Sequence, residues 1–378
     1  MRTFLRKILL IVNVLLAGLL IITYLSVNVS PATLWIFAFL ALSYPFILFL
    51  NLLFIVIWII FRKWYFLLSL LCILLGWKAL RSSFQVHFKD PGIVSANQSS
   101  LHLVTYNVRL FNYYQWIKDT TAWQTMVDFI HSKNPDVVCF QEFITLPGTH
   151  HDFEHLKKEM DPLSYSHVYY TDQVPGRINF GMATFSKYPI VGKKMIDFKE
   201  SLNGSISTDI LINNDTVRIY NCHLQSIRLR KEYDNMIDSL IFNYSDRQLD
   251  EIKDISIKMR QAYIQRAEQV DILSEDIGKS PYPVIVCGDF NDTPVSYTYK
   301  TLSKGLSDVF IESGSGIGTT FRGNFPYVRI DYVLYGPEFT SYFYKTEKVI
   351  WSDHYPVTAR FTLNEKADSS DLHSLPKE

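Results

Sequence analysis

Long uncharged apolar runs fill the first eighty residues and are separated by short basic clusters. Residues 8–27 form the first run, and about twenty such residues cross a hydrocarbon core of roughly 30 Å. Residues 33–61 form a longer run, and its Pro45 is tolerated in a membrane helix where neighbours satisfy the freed carbonyl. Residues 64–77 form a third run, which is short but extends to residue 80. The pattern predicts a membrane anchor with about three transmembrane helices in residues 1–82.

The basic clusters predict how this anchor is oriented. They are Arg2, Arg6 and Lys7 before the first run and Arg62 and Lys63 after the second. Two crossings return the chain to the same face, which the positive-inside rule makes cytoplasmic. A third crossing delivers residues 91–378 to the outer, periplasmic or extracellular face. The prediction is a multi-pass protein of the inner or plasma membrane with an outward-facing body.

Two alternatives to this topology stay open. The first run alone has the apolar length of a cleaved signal peptide, but two more runs follow it and no clear small-x-small cleavage site is present. Lys78 and Arg81 lie after the third run and oppose the outward orientation. If residues 64–80 lie in the membrane interface instead of crossing, the body stays on the inner face.

Beyond residue 82 the pattern changes to short apolar runs. Residues 83–100, with Pro91 and Gly92, have the composition of a linker. Strand-like runs follow at 101–108, 136–140, 179–185, 216–224, 283–287, 329–335 and 356–363. Helical spacing occurs at 121–132 and between 225 and 279, where residues 239–247 divide it. Strands mixed with helices predict an α/β layered domain in residues 101–364, followed by a polar tail in 365–378.

The neutral net charge of the 378-residue chain conceals two oppositely charged parts. Residues 1–90 hold eight basic residues and one acidic residue, and the remaining 29 basic and 36 acidic residues give residues 91–378 a net charge of −7. Such a body is not a polyanion binder that works by bulk electrostatics. A hydrophobic content of 48% excludes a disordered chain, and four cysteines exclude a disulfide scaffold. Cys139, Cys222 and Cys287 lie in strand-like runs and are predicted to be buried thiols.

Polar residues of related chemistry follow the ends of the predicted strands. The carboxylates are Glu142, Asp289, Asp331 and Asp353, and the amides and imidazoles are Asn107, Asn291, His223 and His354. Singly, each has an ordinary explanation, such as an Asx turn for Asp289 or an ion pair with Arg329 for Asp331. Together, carboxylate and amide oxygens suit a hard cation such as Mg²⁺, whereas two histidines without a cysteine do not suit structural zinc. An acid–imidazole pair suits the activation of water.

These residues, in their order along the chain, resemble the endonuclease/exonuclease/phosphatase superfamily. It includes pancreatic-type deoxyribonucleases, apurinic endonucleases, inositol polyphosphate 5-phosphatases and neutral sphingomyelinases. Its most specific marks here are Gly-Asp-Phe-Asn (288–291) and Ser-Asp-His (352–354), and the resemblance covers roughly residues 100–364. The chain most resembles a bacterial membrane-anchored group of that superfamily. The resemblance implies an α/β four-layer sandwich of two mixed β-sheets flanked by helices, preceded here by an all-α transmembrane head.

The resemblance also implies where a metal and the attacking water bind. Glu142 would bind Mg²⁺ or Mn²⁺, with Asn107 and Asp353 as further members of the metal site. Asp289 would orient or deprotonate the attacking water.

The remaining residues would, by the same resemblance, hold the substrate. Asn291 and His223 would bind phosphate oxygens, and His354, set by Asp331, would stabilise the transition state or protonate the leaving group. Arg109 follows Asn107 by two residues, as in the deoxyribonuclease branch, and both are expected in substrate binding. Apurinic endonucleases prefer an aspartate at the position of Arg109, which disfavours the repair of abasic sites.

The sequence leaves three functions open. The favoured one is a metal-dependent phosphodiesterase of nuclease type, with two or three phosphate contacts from Arg109, Arg177 and the basic residues Arg228, Arg230 and Lys231. The second is a sphingomyelinase- or inositol-phosphatase-like hydrolase of phospholipid headgroups, which a bilayer tether favours. The third is a membrane protein that binds phosphorylated ligands without catalysis, which the full set of polar residues disfavours. Nothing in the sequence indicates a protein partner.

Overall fold

Twelve strands form two six-stranded sheets in the computed structural model, which describes residues 2–87, 100–198, 201–227, 246–323 and 328–364. The strands are β1 (Ser100–Asn107), β2 (Val137–Thr145), β3 (Tyr165–Val174), β4 (Ile178–Ser186), β5 (Ile190–Ile196), β6 (Gly204–Ile212), β7 (Asp215–His223), β8 (Val284–Asp289), β9 (Ser307–Asp308), β10 (Asp331–Tyr335), β11 (Phe339–Thr346) and β12 (Val357–Leu363). The first sheet has the order β11-β12-β1-β2-β4-β3 and the second β5-β6-β7-β8-β10-β9. Both sheets are mixed, because each holds one parallel pair among antiparallel ones. The parallel pair is β1 with β2 in the first sheet and β7 with β8 in the second.

Helices cover the outer faces of both sheets and form the amino-terminal part of the chain. They are α1 (Arg2–Ser26), α2 (Pro31–Leu34), α3 (Ile36–Leu42), α4 (Tyr44–Ile60), α5 (Phe66–Leu75), α6 (Trp77–Ser83), α7 (Ala122–Lys133), α8 (Phe153–Glu159), α9 (Asp246–Gly278), α10 (Tyr297–Leu302) and α11 (Val309–Ser313). Met126 of α7 packs on the outer face of the first sheet, and Val270 of α9 packs on the outer face of the second. The predicted four-layer α/β sandwich is confirmed.

The central strands are buried on both faces, which explains why they read as continuous apolar runs. In β1, Leu103 faces the core between the sheets and Val104 faces α7; in β2, Cys139 and Phe140 alternate in the same way. This is the two-residue period of a pleated strand. The three strand cysteines are buried free thiols, as predicted.

The sequence pattern identified the central strands but missed five others. Every predicted run corresponds to a strand, within a few residues, and the helical run at 121–132 corresponds to α7. The missed strands are β3, β5, β6, β9 and β11. Of these, β3, β5 and β11 are edge strands, β6 lies next to the edge strand β5, and β9 has only two residues. β5, for example, carries Gly192, Lys193 and Lys194 at its centre. Such strands lack the apolar content that marks a buried strand.

Three predicted segments lie wholly or mostly outside the described residues. They are the linker, apart from its first residues, the polar tail 365–378 and most of the division at 239–247. In the predicted helical region 225–279, residues 225–227 are not helical, and Asp246–Gly278 forms the single helix α9.

The first apolar run forms α1, and its segment Thr3–Ser26 is long and apolar enough to cross a membrane by itself. The other two runs are bent, which corrects the expectation of one helix each. Helices α3 and α4 meet at 53°, just before Pro45, which has no backbone N–H to continue the helical bonding. Helices α5 and α6 meet at 74° at Gly76. By length and composition the described chain has one span, or up to three if each bent pair is one span.

A buried polar network joins three of these helices. Asn13 of α1 donates to the Ser69 hydroxyl of α5 (2.6 Å), and Trp58 of α4 donates its indole N–H to Asn13 Oδ1 (2.8 Å). Ser69 in turn donates to Asn51 Oδ1 of α4 (2.9 Å). All four side chains are fully buried. Hydrogen bonds of this kind hold helices together where the surroundings are apolar.

The helical head packs against the second sheet's side of the sandwich. The Phe39 ring lies 5.7 Å from the Tyr263 ring of α9, and Val295, after β8, belongs to the head's apolar cluster. The Arg329 guanidinium, just before β10, donates to the Ser82 carbonyl of α6 (2.7 Å). Gln85 pairs its backbone with that of Gly316. The head therefore contacts the loop after β8, which follows Asp289, and the segment before β10, which precedes Asp331.

Candidate active site

The carboxyl ends of the parallel strands bring the predicted polar residues to one edge of the two sheets. Asn107 ends β1, His223 ends β7, and Asp289 ends β8 in register with His223. Asp331, the first residue of β10, pairs with Asp289 from the other side. The side chain of Asn107 reaches across from the first sheet to Asp289 of the second (3.0 Å). The two sheets thus share one polar cleft.

Two backbone features direct carboxylates into this cleft. A β-bulge in β2 gives Glu142 a φ of 46°, so its side chain leaves the regular alternation of the strand. Gly288, before Asp289, has a φ of 124°, and a Cβ there would collide with the backbone of Cys222. Only glycine lets β8 approach β7 so closely, which explains the Gly-Asp part of the sequence motif.

Asp289 lies at the centre of the cleft and is almost completely buried. It accepts hydrogen bonds from the Asn107 amide (3.0 Å) and the Asn291 backbone N–H (2.8 Å). Nε2 of His223 lies 3.9 Å from its Oδ2. Burial, with the negative charge of Asp331, raises the pKa of Asp289 to about 6, against the opposing effect of the two nearby histidines. A carboxylate with this pKa accepts a proton readily near neutral pH.

His354 connects Asp289 to a second carboxylate. Its Nδ1 lies 2.9 Å from Asp331 Oδ2 and its Nε2 lies 3.7 Å from Asp289 Oδ2. Burial lowers the pKa of His354, but Asp331 and Asp289 outweigh burial and raise that pKa well above its ordinary value. The imidazole is therefore held as a cation between two carboxylates. Ring nitrogen and carboxylate oxygens of these three residues lie within 4.8 Å of one another.

Glu142 and Asp353 line the outer part of the cleft. Glu142 accepts from the Asn107 amide (3.2 Å), and Nε2 of His223 lies 3.8 Å from it. Burial and the negative charge of Asp353 raise the pKa of Glu142. Asp353 pairs with Nε of Arg109 (3.1 Å). Both carboxylate side chains keep part of their surface exposed, 32% for Glu142 and 25% for Asp353.

The donor set fits a divalent cation. Four carboxylates converge here, and the pKa values of Glu142 and Asp289 are raised in part by negative neighbours, a repulsion that a cation would relieve. Oxygen donors are the ligands that Mg²⁺ and Mn²⁺ prefer. Glu142 and Asp353 are available to it, whereas His354 and Asp331 already bind each other. Asn107 directs its amide nitrogen to Glu142 and Asp289, and its Oδ1 accepts from the Arg109 N–H (3.0 Å).

All nine predicted site residues lie in this one cleft. Asn107, Glu142, His223, Asp289, Asn291, Asp331, Asp353 and His354 are linked as described above, and Arg109 joins them through Asp353. Their individual roles stay predictions. Arg177 lies in the exposed turn between β3 and β4, and Arg228, Arg230 and Lys231 lie outside the described residues.

Several supporting residues were not assigned from the sequence. Ser352 donates to the Asn107 carbonyl (2.8 Å) and accepts from the His354 N–H (3.1 Å), which holds the loop before β12 against β1. Gln141 donates to Asn221 Oδ1 (2.7 Å) and so joins the two sheets beneath the cleft. The only signal for such residues is a polar side chain inside an apolar strand, which does not reveal its partner.

Comparison with known proteins agrees with this geometry. The model of the Endonuclease/Exonuclease/phosphatase family matches residues 104–354, and that of a domain of unknown function matches residues 6–83. No curated protein matches the chain. An endonuclease/exonuclease/phosphatase structure from Beutenbergia cavernae is 18% identical with a TM-score of 0.51 over 70% of this chain and 72% of its own. A family protein from Bacteroides thetaiotaomicron is 16% identical with a TM-score of 0.50 over 71% and 100%.

The two mixed sheets and the acid–imidazole cleft define a phosphoric ester hydrolase. The chain belongs to the endonuclease/exonuclease/phosphatase family, whose model covers most of its length. Its members depend on a divalent metal, in agreement with the four carboxylates that converge in the cleft. The interpretation as a non-catalytic ligand-binding protein is therefore set aside.

Proposed function

We propose that this chain is a membrane-anchored phosphodiesterase of nuclease type, which depends on Mg²⁺ or Mn²⁺. Residues 1–82 form the anchor, 83–100 the linker, 101–364 the catalytic domain and 365–378 a polar tail. The charged groups of the cleft suit the transfer of a phosphoryl group to water.

The proton chemistry is assigned to Asp289 and His354. Asp289, held by the Asn107 amide and the Asn291 N–H, orients the attacking water and takes its proton. His354 is kept cationic by Asp331 and stabilises negative charge on the phosphoryl group or protonates the leaving oxygen. His223, between Glu142 and Asp289, contacts a phosphate oxygen. A divalent cation bound by Glu142 and Asp353 would supply Lewis-acid polarisation of the phosphoryl group.

The observation that favours a nucleic-acid substrate is an aromatic platform beside the cleft. The platform consists of Tyr113, Tyr114 and Trp116. The ring centroids of Tyr113 and Tyr114 lie 5.1 Å apart, and those of Tyr114 and Trp116 lie 5.3 Å apart. Tyr113 and Tyr114 are 46% and 58% exposed. The Arg109 guanidinium lies 4.4 Å above the Trp116 ring and also pairs with Asp353 of the cleft. Aromatic rings next to a phosphate site are suited to stacking on nucleobases.

The platform is held in place by an unusual turn. All four residues of Arg109–Asn112 have positive φ angles, from 45° to 60°. The Asn112 amide then donates to the carbonyls of Ile117 (2.8 Å) and Asp119 (3.1 Å), and its oxygen accepts from the Ile117 N–H. Backbone strain of this kind persists where the surroundings support it and is frequent at functional sites. The exposed rings are therefore fixed before substrate arrives.

The test replaces Tyr114 with alanine and measures hydrolysis of a single-stranded oligonucleotide and of glycerophosphoglycerol, a phosphodiester with neither a nucleobase nor a cationic group. Stacking contributes about 1–3 kcal/mol per base, so kcat/KM for the oligonucleotide should fall about 5- to 150-fold. The rate on glycerophosphoglycerol should not change. Tyr165→Ala, an exposed tyrosine at the opposite end of the first sheet, is the matched control. Equal losses on both substrates would contradict a stacking role.

A second candidate is hydrolysis of a phospholipid headgroup. One observation favours it: the loop that follows Asp289 and Asn291 runs directly to Val295, which packs in the anchor's apolar cluster. A catalytic loop in contact with the anchor lies near the bilayer. The test compares two hydrolysis rates of the full chain in vesicles of phosphatidylcholine and sphingomyelin, at equal phosphodiester concentration. If the lipid is the substrate, release of phosphocholine is faster than cleavage of an oligonucleotide. The nuclease proposal requires the opposite order.

We further infer that the anchor crosses the membrane three times, with the catalytic domain outside. The polar network of Asn13, Asn51, Trp58 and Ser69 supports a three-helix bundle whose outer surface is apolar. Arg62 and Lys63 lie between α4 and α5, at the end remote from α6 and its contacts with the catalytic domain. Protease added to intact spheroplasts should then cleave the linker and release the domain. Cleavage only after lysis would contradict the outward placement.

A further inference from the structure

A large cavity lies between the anchor and the catalytic domain. Its volume is about 840 Å³. The end of α1, the junction of α5 and α6, and α6 line it from the anchor, while α10 and α11 line it from the catalytic domain. Cavities of this size hold small organic ligands. None of the proposed catalytic residues lines it, so it is separate from the cleft.

The charge of the cavity is predominantly positive. Lys78 and Arg81 of α6 and Lys300 of α10 line it, and all three are exposed. Of the two carboxylates that line it, Asp308 is buried and already bound by Arg329 (2.8 Å) and the Tyr299 hydroxyl (2.7 Å). Glu312 is then the one remaining acid among the described lining residues. The excess of cations suits an anionic ligand.

The position of the cavity indicates where that ligand comes from. Helix α6 turns by 74° from α5 and forms the last part of the third span, and long basic side chains near the end of a span extend to the headgroups. Leu75 and Trp77, at the turn, line the cavity and are 77% and 54% exposed. The apolar surface of α5 therefore continues into the cavity, and the cations lie at the headgroup level. Basic pockets next to membrane helices are suited to lipid headgroups.

We propose that this cavity binds the headgroup of one anionic phospholipid from the bilayer. Its phosphate contacts Lys78, Arg81 and Lys300, and its acyl chains lie along the exposed apolar surface near Leu75. The lipid fills the space between α6 and α10 and so joins the anchor to the catalytic domain. This inference depends on the membrane anchoring proposed above but not on the identity of the hydrolysed substrate.

The test measures thermal unfolding of the full chain in a neutral detergent, in which no charged bilayer surface exists. Phosphatidylglycerol is titrated in, with phosphatidylcholine as the neutral lipid and glycerol phosphate as the free headgroup. Phosphatidylglycerol should raise the melting temperature with saturation at one lipid per chain, and the other two should not. A combined variant, Lys78→Gln with Arg81→Gln and Lys300→Gln, should bind it about a hundredfold more weakly, since each cation near an anionic headgroup contributes about a fivefold attraction.

The matched control is Arg62→Gln with Lys63→Gln, which removes exposed cations from the turn between α4 and α5, at the end of α5 remote from the cavity. It should keep the full response to phosphatidylglycerol. An unchanged response in the triple variant, or an equal loss in the control, would overturn the site. A response to glycerol phosphate alone would overturn the bilayer source of the ligand. Oligonucleotide hydrolysis is measured on the same samples, so a failed lipid site and a failed nuclease proposal are distinguished.

Discussion

Replacing Arg329 tests how the helical head and the second sheet are held together. The guanidinium is 1% exposed; it donates to Asp308 (2.8 Å) and to the Ser82 carbonyl of α6 (2.7 Å). It also lies 4.4 Å above the Phe310 ring and 4.5 Å above the Tyr332 ring. Arg329→Met keeps the apolar volume but leaves the Asp308 carboxylate buried without its cation. Breaking a buried pair in this way costs about 3–5 kcal/mol.

For a domain of this size, each kcal/mol lowers the melting temperature by about 2–4 °C, so a drop of about 6–20 °C is expected. Differential scanning fluorimetry of the full chain in detergent measures it. Adding Asp308→Asn to Arg329→Met should recover part of the loss, because the second change removes the unpaired charge. Arg360→Met, an exposed arginine on β12, serves as control and should change stability by less than about 0.5 kcal/mol. A loss below about 1 kcal/mol for Arg329→Met, or no recovery in the double variant, would refute this reasoning.

Three further predictions concern the cleft and the sheets that carry it. Asp331→Asn and His354→Ala should each lower kcat by about 10²–10⁴, and together by less than the product, because the two act as one unit; independent effects in steady-state kinetics would contradict this. Burial, with Lys193 nearby, lowers the pKa of His167 to about 4, so below about pH 6.5 the unfolded chain binds a proton there that the folded chain does not, and His167 by itself lowers stability by about 2 kcal/mol between pH 7 and pH 5. His167→Asn should flatten that acid limb in denaturant titrations. Gly288→Ala should cost about 1–3 kcal/mol of stability through backbone strain, and a neutral effect on melting would show that β7 and β8 have more room than described.

The central fold was predictable because its strands are buried on both faces. Residues 137–140 and 283–287 are apolar throughout, and polar residues follow each run, where the sheet edge meets the cleft. The polar residues could be grouped because they share one chemistry and each follows an apolar strand, and they lie together because the carboxyl ends of parallel strands meet at one edge. The edge strands were missed because their solvent face carries residues such as Lys193 and Lys194, which dilute the apolar signal.

The contacts between distant segments were not predictable from the sequence. Ser352 holding Asn107, or Gln141 reaching Asn221, depends on which strands become neighbours. The bends in the second and third apolar runs also escaped prediction, because a membrane helix tolerates Pro45 and Gly76 in either a straight or a broken span. The cavity beside α6 lies at that bend, where Lys78 and Arg81 line it together with residues of the catalytic domain.

Metal-dependent hydrolysis of a phosphodiester by the full chain is the central measurement. The purified protein is assayed on an oligonucleotide with excess EDTA, and then with Mg²⁺ or Mn²⁺ added back. We expect no turnover with the chelator, recovery with either metal, and a loss of several orders of magnitude in Glu142→Gln with an unchanged melting temperature. Undiminished hydrolysis in excess EDTA, or normal turnover in Glu142→Gln, would contradict it.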